Sequence, residues 1–290
     1  MKNTNLPLHI GKVLDKSMVS IGVLLFLIGI CKTLYNAPDL SISDIAMSSF
    51  GIIICLLFKS KVFSNLLGSP GANQKINKVF LSMCCITSTI IIASKILLGQ
   101  SQFYRNSLDE NSLVEWFTFL LLAISSYIFF RLSIIKKMRI EKLFCIAVSV
   151  ILFIGSMEEL SWGQMVFNWE TPERLAILNS QGETTIHNLY GINTLVDPLL
   201  LCALTIAIFL SIFGSNIKDY LNQNKSILNF VLPSKNVLLI LILAWIIVAN
   251  IVFFPKGGLF ESGEIEWAEL LISLAASMHS IQLTVNSIHK

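Results

Sequence analysis

The most constraining feature of this chain is a series of apolar runs, each near the length a helix needs to cross a bilayer and each bounded by a short polar stretch. In hydrocarbon every backbone N–H and C=O must be satisfied within its own segment, so runs of this kind fold as helices. Eight such runs can be read, at approximately 18–37, 42–58, 79–98, 113–135, 143–163, 192–213, 236–254 and 267–288. The second is short and carries Asp44 near its start. The predicted fold is all-α: a polytopic transmembrane helix bundle of about eight spans, a single integral membrane domain over 1–290. Composition agrees, with 54% of the 290 residues hydrophobic and 13% charged. The first run lies behind Lys12 and Lys16 like a secretory signal, but Lys32 follows it and no small-x-small cleavage site is evident, so it is read as a span.

The polar loops set the orientation. Lys2, Lys12 and Lys16 precede the first run, Lys59, Lys61, Lys75 and Lys78 follow the second, Arg131 to Lys142 surround the link of the fourth to the fifth, and Lys218, Lys225 and Lys235 join the sixth to the seventh. These are alternate loops, which the positive-inside rule assigns to the cytoplasm together with both termini. The opposite side holds only Lys32, Lys95, Arg105, Arg174 and Lys256, against every acidic residue except Asp15, Glu141 and Asp219. Much of that acidity is what remains once basic residues are retained inside, and the loop carboxylates Glu261, Glu264 and Glu266 belong to this category. The pattern is that of a bacterial inner-membrane protein, with the lipid bilayer as its first partner and no nucleic acid. All six cysteines lie within apolar runs, and no disulfide is expected.

Carboxylates inside the runs are a different matter, because ionisable groups at that depth are costly and functional by default. Counting outward from Leu143 at about 1.5 Å per residue puts Glu158 and Glu159 roughly 22–24 Å from the inner boundary, in the outer third of the bilayer. Lys32 and Lys95 fall at nearly the same height, and Glu115, Asp197 and Glu269 enter from the outer ends of their own spans. A shared polar cavity open to the outside is the economical reading, with Lys95 or Lys32 pairing with the glutamates. A set of structural ion pairs that locks the bundle is the alternative. Glu158 and Glu159 are adjacent like charges at the C-terminal end of a helix, so something must compensate them: a proton, a basic side chain, or a divalent metal held by Glu158, Glu159 and His187. Successive helical positions point about 100° apart, so the two glutamates are expected to serve different partners.

The segment 164–191 is too long to be a mere connector. Thr171-Pro172-Glu173 reads as a helix start with Thr171 as N-cap, and Leu175, Ile177 and Leu178 give a short apolar face. With Trp162 and Trp169 nearby, this becomes a short amphipathic helix lying on the extracytoplasmic surface, over the acidic layer. Polar groups follow in Asn179, Gln181, Glu183, His187 and Asn188, and Glu183 and His187 would share a face if that piece is helical. The candidate site thus has Glu158, Glu159 and His187 at its centre, as catalytic groups or metal ligands. Around them stand Lys95, Glu115, Trp162, Gln164, Asn179, Gln181, Glu183, Asn188, Asp197 and Glu269, in substrate-binding or supporting places. His279 and the Ser273, Ala276, Ser277, Ser280 stripe read as helix packing.

The joint pattern E-E-x-S-W-G-Q, T-P-E, N-x-Q-G-E and H-N between Glu158 and Asn188 resembles the signature of an uncharacterised family of bacterial multi-pass membrane proteins. That resemblance implies an inner-membrane location and no particular activity. More loosely, the glutamate pair is similar to the E-E-x-x-x-R motif of the CAAX-protease and bacteriocin-processing intramembrane proteases, where paired glutamates activate water. Here Gly163 stands where that motif has arginine, and Glu183, not phenylalanine, lies four residues before His187.

Three function classes are open to such a chain. The first is a membrane-embedded hydrolase or transferase acting on a lipid-linked or membrane-peptide substrate through the paired glutamates, with or without a metal. The second is a non-catalytic subunit or assembly factor that docks a membrane protein partner. The third is a proton- or cation-coupled transporter, although no internal repeat or matching halves are visible.

Overall fold

The computed structural model describes residues 72–108, 112–167, 169–221 and 232–288, together with scattered positions between 12 and 59. The first two expected spans fall largely outside the described residues, and Lys32 falls wholly outside them. The chain divides into two compact units, Met1–Val79 with Val285–Lys290, and Phe80–Thr284. Every residue of the candidate site belongs to the second unit.

The described residues of that unit are helical, with no strand and one isolated bridge between Asn179 and Leu189. The order is α1 (Ala72–Leu98), α2 (Gln102–Asn106), α3 (Leu113–Ile135), α4 (Arg139–Glu159), a 3-10 turn (Ser161–Gly163), α5 (Gln164–Phe167), α6 (Glu173–Leu178), α7 (Asn193–Leu221), α8 (Leu238–Phe253) and α9 (Ile265–Ile288). Six helical stretches, two of them including a leading 3-10 turn, are long and apolar enough to cross a membrane: Gln74–Leu98, Leu113–Ile135, Arg139–Glu159, Asn193–Gly214, Lys235–Phe253 and Ser262–Ser287. Six such helices are compatible with a multi-pass membrane protein. Large apolar side chains such as Ile86, Ile90, Ile151, Leu199 and Ile206 stand exposed along the spans, an arrangement that lipid tolerates and water does not.

The bundle interior is made differently. Trp116, Ile128, Ile240, Ile247, Leu271 and Met278 are fully enclosed, and between them run short serine contacts. Ser125 Oγ meets Ser277 Oγ at 2.8 Å, tying α3 to α9, and Ser126 Oγ donates to the Ser149 carbonyl at 2.8 Å, tying α3 to α4. Small hydroxyl residues let helix backbones approach closely and satisfy one another where no water is present. His279 packs against Phe129 with ring centroids 6.4 Å apart, away from the polar end of the bundle.

The fifth expected span is shifted. It begins at Arg139 and its regular helix stops at Glu159, four residues before the expected end at 163. The cause is a left-handed turn: Ser161, Trp162 and Gly163 have φ of 47°, 56° and 94°. Two non-glycine residues in that region together cost of order 1–3 kcal/mol each, a strain retained where local structure has a task.

Candidate functional site

The chain folds back at this turn so that the segment 160–192 covers the ends of four spans. A cavity of about 200 Å³ lies beneath it, lined chiefly by Glu115 of α3, Glu158 and Glu159 of α4, His187, Asp197 of α7, and Glu266 and Glu269 of α9. Gln181, Glu183, Asn188 and Asn193 complete its polar wall.

The two adjacent glutamates diverge, as the 100° step between helical positions requires. Glu158 turns toward the covering segment and is saturated with donors. Its Oε2 accepts the backbone N–H of Ile186 at 2.7 Å and of His187 at 3.1 Å, and faces His187 Nδ1 at 3.0 Å, while its Oε1 accepts the indole N–H of Trp162. The left-handed backbone at Trp162 carries the indole back over the helix end it has just left. Burial lowers the basicity of His187, but the bond to Glu158 and the negative charges of Glu269, Glu158 and Glu183 outweigh it, and the imidazole binds its proton more tightly than usual. The pair is thus a carboxylate that both orients and charges a histidine, and the histidine remains partly exposed on the cavity side.

Glu159 turns the other way. One oxygen from each of Glu159, Glu266 and Glu269 lies within 4.8 Å of the others, a spacing suited to a metal ion. The expected metal set of Glu158, Glu159 and His187 therefore divides: two members are engaged with each other, and the third stands with carboxylates of α9.

Most of the other motif residues hold the walls in place. Ser161 donates to Glu183 Oε2 at 2.7 Å, and Gln164 Oε1 accepts the Thr184 N–H at 2.9 Å and the Thr171 hydroxyl at 3.1 Å. Asn179 is buried and works in both directions, donating to the Thr185 carbonyl at 2.9 Å and accepting the Gln181 N–H at 2.9 Å. Asn188 Nδ2 donates to Gln181 Oε1. These bonds replace two local expectations. The residues between Gln181 and Ile192 form turns and not a helix, so Glu183 and His187 reach the cavity from separate turns. Pro172, not Thr171, occupies the N-cap position of α6, because the Thr171 hydroxyl is committed to Gln164.

Lys95 is a correction. Its Nζ lies 2.7 Å from Glu264 Oε2 and does not line the cavity or pair with Glu158 or Glu159. Glu264 is buried and also accepts the Tyr104 hydroxyl at 2.5 Å and the Glu261 N–H at 2.8 Å, while the Trp267 indole donates to Tyr104 at 3.0 Å. Burial and the bond to Glu264 hold the Tyr104 phenol well above its ordinary range, so it remains a donor. This network anchors the start of α9 and with it the position of Glu266 and Glu269. Sequence reasoning missed Glu266, grouping it with loop carboxylates; the available signal was its i,i+3 spacing to Glu269.

No protein family, curated protein or solved structure matches this chain. The likeness drawn from the 158–188 pattern rests on those motif residues alone.

Proposed function

We propose that the chain is a membrane-embedded enzyme of the hydrolase or transferase class, acting at the outer leaflet on a lipid-linked or membrane-peptide substrate. The observation that carries this reading is the Glu158–His187 pair at the wall of a carboxylate-lined cavity. An imidazole held by a carboxylate is equipped to give and take a proton during acyl or phosphoryl transfer, whereas a purely structural layer would have every member neutralised by partners. The cavity sits where helix ends meet a covering segment, so a substrate anchored in lipid could present its polar end there. In this reading the chain forms a single integral membrane domain of eight spans in a bacterial inner membrane, with both termini cytoplasmic, 164–191 outside, and α6 lying in the outer interface. The support is the alternation of basic loops and the exposed Ile177 and Leu178 of α6.

The test uses proteoliposomes charged with a total lipid and membrane-peptide extract, comparing wild type with His187→Ala and, as control, Ser133→Ala. A product formed by wild type and by the control but not by His187→Ala, at equal folding, supports the reading. Identical extracts with and without wild type contradict it. A second reading, a non-catalytic subunit or assembly factor, is favoured by exposed Ile186 and Tyr190 on the covering segment, which offer a partner an apolar surface.

A further inference from the structure

We propose that Glu159, Glu266 and Glu269 hold a hard, oxygen-preferring divalent cation, with Ca2+ the best fit, in the cavity beside the Glu158–His187 pair. Three carboxylates whose oxygens approach within 4.8 Å of one another cannot all carry charge away from bulk water unless a positive charge lies among them. Glu158 shows what compensation by protein looks like, since four donors converge on it. Among the described residues no ion pair reaches the trio, and the His187 charge acts on Glu269 from beyond pairing distance. Among the described residues Lys95 pairs with Glu264, Lys136 with Glu141 and His187 with Glu158, and none of these cations is within ion-pairing distance of the three.

A second observation comes from outside the carboxylates. Asn193 Oδ1, in the first turn of α7, is buried with no hydrogen-bond partner, and Asn193 lines the same cavity. Glu266 Oε2 is buried and unpartnered as well. A buried acceptor without a donor costs about 1–3 kcal/mol, and a cation satisfies a neutral carbonyl oxygen and a carboxylate cluster together. The donor set then decides the class of ion. Carboxylate and amide oxygens without sulfur or imidazole suit Ca2+, Mg2+ or Mn2+ and not the softer metals. Ca2+ accepts six to eight oxygens in flexible geometry, which suits carboxylates arriving from separate helices, whereas Mg2+ demands a near-ideal octahedron.

The ligands also explain why the acids occur where they do. Glu266 and Glu269 share one face of α9 at i,i+3, Glu159 approaches from α4, and Asn193 from α7, so an ion would tie three spans together at the floor of the site. What the ion does for catalysis rests on the proposed reading of His187; its binding does not.

The full chain, purified in lipid nanodiscs and stripped with a chelator, is titrated with Mn2+ and followed by electron paramagnetic resonance, with Ca2+ as competitor. One Mn2+ per chain, displaced by Ca2+ and bound more than about tenfold more weakly by Glu269→Gln at unchanged helicity, is the expected result. Where Glu269→Gln fails to fold, Glu266→Asp keeps the charge, retracts the oxygen, and should weaken binding likewise. Absence of binding in folded wild type, or equal affinity in the variants, overturns the proposal and leaves the three carboxylates sharing protons. The two readings fail separately: metal bound by a wild-type chain that forms no product removes the enzyme reading alone, and product formed by wild type but not by His187→Ala, with neither binding metal, removes the cation alone.

Discussion

His187 Nδ1 stands 3.0 Å from Glu158 Oε2, and the same oxygen accepts the two backbone N–H groups that deliver the histidine to it. The imidazole is therefore positioned by the carboxylate through its own backbone as well as its ring. Its proton affinity is raised in the folded protein, so the stabilisation from the charged pair is complete below the unfolded value of about 6.5 and is lost as pH rises through the higher folded value. The melting temperature of wild type should exceed that of His187→Gln most at mildly acid pH, and the gap should narrow toward alkaline pH. A gap that widens with pH would contradict the assignment.

Gly163 has φ of +94°, and a Cβ there would meet Trp169 Cη2 at 3.2 Å and Phe167 Cδ2 at 3.3 Å. Those two rings are stacked with centroids 5.6 Å apart and are both exposed, so the left-handed φ is the main obstacle to a side chain there. Gly163→Ala should cost about 1–3 kcal/mol. It should also loosen the covering segment, seen as faster protease cleavage between residues 164 and 191, while the spans keep their helicity. Cleavage at the wild-type rate would show that the turn does not hold the cover.

The Lys95–Glu264 pair should behave as one unit with Tyr104. Glu264→Ala strands a lysine, a phenol and a backbone N–H, and should cost roughly 3–5 kcal/mol, more than Lys95→Met because Lys95 is the more exposed partner. The double variant should recover part of the loss, with a coupling of about 0.5–3 kcal/mol in a detergent-unfolding cycle. Strictly additive losses would mean that the ion pair does not form in the membrane.

Gln164 is the hinge of the cover, holding Thr184 and Thr171 at once. Gln164→Ala leaves the Thr184 N–H without its acceptor and should lower stability by about 1–3 kcal/mol. Gln164→Glu keeps an acceptor for both donors and should be milder. Equal damage from the two would point to packing rather than hydrogen bonding.

The helices were legible because the bilayer imposes both length and hydropathy on them; Leu113–Ile135 falls on the residues its apolar run predicts. The convergence of Glu115, Glu158, Glu159, Asp197 and Glu269 was legible from depth alone, since antiparallel spans bring residues of equal height together. Partner choice within that layer was not. Depth puts Lys95 beside the glutamate pair, but the start of α9 folds Glu264 into its reach, and nothing in the spacing of either residue announces that turn. Backbone sign was equally hidden: Ser161 and Trp162 have left-handed φ where their side chains meet Glu183 and Glu158, and the Glu183 contact comes from a distant part of the chain that local preference does not announce. The same turn ended α4 at Glu159 instead of 163.

In the proposed function the polar cavity is the working site and opens to the outside of the cell. Asn188 lies in its wall, so a chain whose native cysteines are replaced and which carries Asn188→Cys should be labelled in intact cells by a membrane-impermeant thiol reagent, while Lys137→Cys is labelled only after lysis. Labelling of Lys137→Cys in intact cells with Asn188→Cys protected would place the cavity on the cytoplasmic side and overturn that orientation.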